Sequence, residues 1–252
     1  MDSTGLPAPV LTGLDAFTQF VAALIYLGVG VAAWGQAPRD IRTRVFLAFA
    51  LANVVAFSVP GTAWLLGVRD PAAMPRAATA ATMAALGVGA LLLFHFTQVF
   101  PRRRPWIKTA GIQMSVAYLL TPVVIAALVR FWPASRTEVS PAYILGFLVF
   151  GFPLMILLAF VLPVAAIVSL LRSHRDAQHL GAPIARPILW ILTSQVAGGV
   201  LAIVFAPAFA AAVPGSPLIP IVTVIIWTLG LLTPLAFAVA VWRYELLAID
   251  VD

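Results

Sequence analysis

Five neutral polar side chains interrupt the long apolar runs of this sequence: Asn53, His95, Gln98, Gln195 and Thr233. Of these, His95 alone can change protonation near neutrality. Gln98, three residues on, shares a side of any helix that carries both. In an apolar surrounding such groups have two uses. They can satisfy one another as hydrogen bonds between helices, worth about 0.6 kcal/mol each on average. Alternatively, they can line a ligand cavity or form a pH-sensitive switch centred on His95. The first reading is preferred. Metal chemistry has less support: His174 and His179 flank Asp176 and could ligate zinc, but the stretch "RSHRDAQHLGAPIARP" reads better as a solvated polar loop. No GxSxG, HExxH or pair of membrane aspartates occurs, so no catalytic residue, metal or cofactor is expected.

The elements that must position these groups follow from composition. The chain is 62% hydrophobic and 10% charged, with mean hydropathy +1.05; a soluble domain carries about 25% charged residues. A membrane bundle in contact with lipid is therefore expected. There is no cysteine, which excludes disulfides and thiolate metal sites. The pI near 10.8 would fit a nucleic-acid partner, but the basic residues sit in short loops between apolar runs and report membrane topology instead. An acid and no Lys or Arg precede the first apolar run, so it lacks the basic start of a signal peptide and is read as retained.

A crossing needs about 20 mostly apolar residues. Seven runs qualify, at 15–35, 45–67, 77–100, 109–132, 142–171, 188–213 and 219–242. The expected fold is all-α, a polytopic seven-transmembrane helix bundle. The fifth run is long for one straight crossing and should bend at Pro153 or Pro163. Pro60, Pro122, Pro207, Pro220 and Pro234 also fall inside runs and would free backbone carbonyls there. Ala77, Ala81, Ala85 and Gly89 place a small residue at every fourth position of the third span, which would let a neighbouring helix approach closely.

Eleven of the fifteen basic residues fall on one side: Arg39, Arg42, Arg44, Arg102, Arg103, Arg104, Lys108, Arg172, Arg175, Arg186 and Arg243. Arg69, Arg76, Arg130 and Arg136 fall on the other. The positive-inside rule then puts residues 1–14 outside as a short tail and the C-terminus in the cytoplasm. Counted at 1.5 Å per residue from the inner ends, the five polar residues lie about 5–15 Å deep, at one level. No Asp, Glu or Lys lies well within a span, which counts against an ion-coupled transporter. The sole lysine, Lys108, is in a loop, so a retinal Schiff base in the seventh span is excluded.

Three stretches, in order, carry a resemblance. "LLLFHFTQVFPRRRPW" (91–106) ends a span with Phe-Pro and a basic loop; "ARPILWILTSQVAGG" (185–199) opens the sixth span with Arg-x-x-x-Trp; "AVWRYELLAIDVD" (240–252) follows the last span with Arg-Tyr-x-Leu-x-x-Ile-Asp. Together they resemble the seven-transmembrane input region at the N-terminus of many bacterial sensor histidine kinases; related regions precede phosphatases and nucleotide cyclases. The matching positions are His95, Phe96, Phe100 and Pro101, then Arg186 and Trp190, then Arg243, Tyr244, Leu246, Ile249 and Asp250. Glu245 and Ala248 depart from the family's usual Arg and Asp.

The resemblance implies a sensory domain over 15–242 in a bacterial inner membrane and a signalling-helix start over 243–252. It further implies a homodimer, a cytoplasmic output domain in cis and a stimulus at the membrane or outer face, such as a small lipophilic ligand. Tyr244, Leu247 and Val251 form one apolar helical stripe after Trp242, which suits a helix running on from the last span. The alternative is a small transporter or channel for a neutral solute.

Overall fold

The computed structural model describes residues 13–68, 74–100, 105–131, 140–179, 185–197 and 231–243. Every regular element among them is helical. Five helices are long and apolar enough to cross a membrane: α1 (Gly13–Gln36), α2 (Ile41–Leu65), α3 (Arg76–Val99), α5 (Gly111–Arg130) and the 39-residue α6 (Pro141–His179). A five-residue α4 (Pro105–Thr109) lies between α3 and α5. The helical stretch 185–197, here α7, and α8 (Leu232–Arg243) are the described parts of the expected sixth and seventh spans. By length and apolar composition this is a multi-pass membrane protein.

Short connections make successive helices antiparallel, so the α1–α2, α3–α5 and α6–α7 junctions share one end, which also carries most of the basic residues. Tryptophans mark that end. Trp34, Trp106, Trp190 and Trp242 are each 41–48% exposed, as expected of amphipathic rings at a membrane–water boundary.

Helix α2 starts four residues before the expected 45, and that brings Arg42 and Arg44 out of the loop into its first turn. The reason is local. Asp40 caps the helix, its Oδ1 accepting from the Arg42 backbone N–H at 2.7 Å, and its Oδ2 accepts from Arg42 Nε at 2.8 Å. Thr43 Oγ1 donates to the Ala37 carbonyl at 2.6 Å. Arg42 is buried to 9% exposure. Removing Asp40 therefore deletes a cap, worth about 1 kcal/mol, and leaves a buried cation without its carboxylate. Asp40→Ala is expected to cost about 2 kcal/mol in a detergent unfolding titration, with Asp40→Asn recovering the cap's share of it.

The fifth run departs from α geometry just before both expected prolines. Phe147–Gly151 and Leu157–Val161 are π-helical turns, and Pro153 and Pro163 each stand two residues beyond one. A proline lacks the N–H for, and its ring clashes with, the carbonyl four residues back. Those carbonyls belong to Val149 and Ala159, the middle residues of the two turns, and a wider turn removes the conflict. Helix α6 also runs eight residues past the expected 171, through His179. The segment Arg172–His179 is polar but holds no helix breaker; Gly181 and Pro183 come later.

Glycines set the close approaches. A Cβ on Gly30 of α1 would stand 2.7 Å from Ala50 Cβ of α2, and one on Gly87 of α3 would stand 2.8 Å from Ile125 Cδ1 and 3.0 Å from Thr121 Cγ2 of α5. The small-residue ladder of α3 is closed only in part. Gly89 is buried near Asn53 and Ala52, whereas Ala81 and Ala85 line an open groove between α2 and α3.

Candidate functional site

The buried core gathers towards the basic end and contains a connected cluster of aromatic rings. Phe46 of α2 stacks on Phe237 of α8 with ring centroids 3.6 Å apart. Phe96 of α3 meets the same Phe237 edge-on at 5.3 Å and Phe46 at 5.8 Å. Phe100 stacks on Phe96 at 5.2 Å. Phe49 extends the cluster from Phe46 to Tyr26 of α1, with centroids 6.0 and 5.7 Å apart. Phe46, Phe96, Phe100 and Phe237 are all at most 2% exposed. Three helices, α2, α3 and α8, therefore meet at Phe237, in the helix that carries Arg243. Edge-on pairs such as Phe96–Phe237 add about 0.5–1.5 kcal/mol each beyond area burial, so side-chain packing helps to seat α8 on α2 and α3.

Spacing missed this cluster; Phe96 and Phe100 stood out only through the resemblance. Apolar residues in an apolar run carry no mark of which partner they meet. The visible signal was an excess of phenylalanine at the basic ends of the second and third runs: Phe46, Phe49, Phe94, Phe96 and Phe100.

The five polar residues do not converge on one cavity. Asn53 Nδ2 donates to the Phe49 carbonyl of its own helix at 2.9 Å. His95 reaches α5, its Nδ1 lying 2.8 Å from the Tyr118 hydroxyl. Gln98 is buried and its Nε2 donates to Thr97 Oγ1 at 3.2 Å. Gln195 Nε2 donates to Thr233 Oγ1 at 2.7 Å, tying α7 to α8. Ser169 Oγ of α6 donates to the Thr97 carbonyl of α3 at 3.2 Å. Two of the five thus bond each other, and the rest bond partners outside the set. Only the His95–Tyr118 and Gln195–Thr233 bonds tie one helix to another, while Asn53 and Gln98 bond within their own helices. Tyr118→Phe should cost only about 0.6 kcal/mol, the average for such bonds in membranes, with a ceiling near about 1.7 kcal/mol; a detergent unfolding titration of the two proteins reads the difference.

The family-motif residues divide. Phe96 and Phe100 are in the aromatic core, while Arg186 and Trp190 lie four apart on one exposed side of α7. Arg243 ends α8 and is exposed. Pro101, Tyr244, Leu246, Ile249 and Asp250 lie outside the described residues.

In the polar segment expected as a loop, His174 Nδ1 is 3.0 Å from the Ala185 carbonyl, joining the end of α6 to the start of α7. No group of three metal-ligating side chains is present among the described residues. Three buried side-chain atoms have no hydrogen-bond partner among the described residues: Gln19 Oε1, Arg42 Nη1 and Thr82 Oγ1. Gln19 and Thr82 lie towards the end opposite the basic one and were not singled out by the sequence, which drew attention to the polar groups nearer the basic end.

Compared with known protein families and with characterised proteins, the chain matches none.

Proposed function

We propose that this chain is a membrane-embedded sensory and signal-transmission module, the input region of a bacterial sensor histidine kinase or a related signalling protein, in the inner membrane. The observation that carries the reading is the seat of Phe237. A stimulus that shifts α2 or α3 relative to the bundle displaces the rings on both sides of Phe237, and α8 must follow or lose its packing. Because packed cores are bistable rather than continuously deformable, small displacements of this kind are converted into discrete helix shifts. The exposed Arg243 end of α8 delivers that shift on the cytoplasmic side, in the orientation that the basic residues favour. The resemblance of residues 91–106, 185–199 and 243–250 supports the same reading, and a homodimer with an output domain in cis belongs to it by that analogy.

The His95–Tyr118 and Gln195–Thr233 bonds act in this account as ties that keep α3 on α5 and α7 on α8. His95→Gln is then expected to retain the fold and the transmission of movement.

The test is functional class. Proteoliposomes of the purified chain are expected to pass a neutral solute such as glycerol no faster than protein-free vesicles. Protein-dependent flux blocked by bulky substitutions in the bundle would establish the transporter instead.

A further inference from the structure

We propose that the cavity between α3, α5 and α6 is a binding site for one hydrocarbon chain of a membrane lipid. The cavity measures about 350 Å³, and among the described residues it is lined only by apolar side chains and glycine. An apolar cavity of about 150 Å³ stays dry and binds benzene, so this one has room for a longer hydrocarbon segment. Its position decides which hydrocarbon. Met83, Leu86, Gly87 and Ala90 of α3 lie about 10–20 Å along the helix from Arg76, at 1.5 Å per residue. Arg76 Nη1 donates to the Arg130 carbonyl at 3.2 Å, which sets the ends of α3 and α5 side by side. The cavity is therefore well inside the span.

Met83, Leu86 and Met155, each 45–48% exposed, stand where it opens. The opening is continuous with the exposed apolar surface of Leu148, Phe150, Phe152 and Phe160 on α6. In a membrane protein that surface is the lipid interface, and acyl chains are the medium that meets it.

Two features make the site more than a furrow between helices. First, its α6 wall contains residues of both π-helical turns, Phe147 and Gly151 from one, Leu158 and Ala159 from the other. Single π turns recur at functional positions in helices. Second, the wall adapts. Met83 and Met155 are unbranched and polarizable and fit irregular shapes. Gly151 has no side chain, and the Phe147 ring occupies that space: a Cβ there would stand 2.7 Å from Phe147 Cδ2. A chain seated here touches the two turns through which α6 departs from α geometry. The binding claim is independent of the signalling reading, since it is measured on the chain alone.

The experiment uses the full chain in phosphatidylcholine vesicles with a trace of phosphatidylcholine bearing a mid-chain diazirine. After irradiation, attachment sites are mapped by mass spectrometry. Ile125, Leu154 and Leu158, half-buried lining residues, are expected to be labelled several-fold more than Leu119 and Leu120 on the outward side of α5. Ala90→Phe, which fills the cavity, should remove that excess and leave Leu119 and Leu120 unchanged. Should Ala90→Phe not fold, Ala159→Phe on the exposed side of the cavity serves as the second variant, with the same expectation. Labelling of the lining no greater than that of Leu119, or an excess indifferent to both fillings, would overturn the proposal and leave only the ordinary lipid annulus.

Discussion

Phe237→Ala is expected to be the most damaging substitution of an apolar residue in the described bundle, at about 3 kcal/mol, the lower end of the range for truncating a buried phenylalanine in soluble cores. The lower end applies because a helix in lipid gains no transfer from water on packing; what is lost is the contact of Phe237 with Phe46 and Phe96 and the void left between them. The control is Phe150→Ala. That ring is 62% exposed on α6, and truncating it should change stability by less than about 0.5 kcal/mol. Detergent unfolding titrations of the three proteins provide the comparison. A similar cost for both variants would mean that the aromatic core does not hold α8.

Gly30→Val is expected to separate α1 from α2 and to cost up to about 3 kcal/mol, the upper part of the overpacking range. The nature of the obstructing atom sets the size. A Cβ at residue 30 faces Ala50 Cβ at 2.7 Å, an atom fastened to backbone that no rotamer change can move. At Gly87 the nearest atom is the end of a flexible chain, Ile125 Cδ1, so Gly87→Ala should be milder, by more than half. Equal losses in thermal unfolding of the two variants would show that the α1–α2 approach is looser than the geometry states.

The helices themselves were legible because their signal is large: about 20 apolar residues leave little choice of structure in a membrane. Their ends were less so. The Asp40 cap could have moved the start of α2 to residue 41, since Asp just before a helix is a standard N-cap, but an apolar count does not register capping. A departure from regular α geometry in the fifth run was readable from Pro153 and Pro163, while its form, two π-helical turns, was not; a proline states that a bond must be avoided and not how. Helix α6 continued past Leu171 because helix formation needs no apolar residue, only the absence of a breaker.

The polar residues illustrate a further limit. Gln195 and Thr233, expected at one level, bond each other. His95 and Gln98 were correctly placed on one helix, but His95 took Tyr118 as its partner. Depth can be counted along a sequence; azimuth between helices cannot, and azimuth decides whether groups at one level meet. The ladder from Ala77 to Gly89 shows the same thing, closed at Gly89 and open at Ala81 and Ala85.

The central claim is that α8 moves with the helices that grip Phe237. Because the chain has no native cysteine, spin labels can be placed on cysteines substituted for Thr109 and Arg243, both exposed. The distance between them is measured by pulsed electron resonance in vesicles of 14-carbon and of 22-carbon lipids. The account predicts a shift of about 1–2 Å or more between the two thicknesses, the size of helix displacements in switching proteins. It also predicts loss of that shift, with a broadened distribution, in Phe237→Ala. An unchanged distance in the native chain, or an equal shift with and without the Phe237 ring, would contradict it.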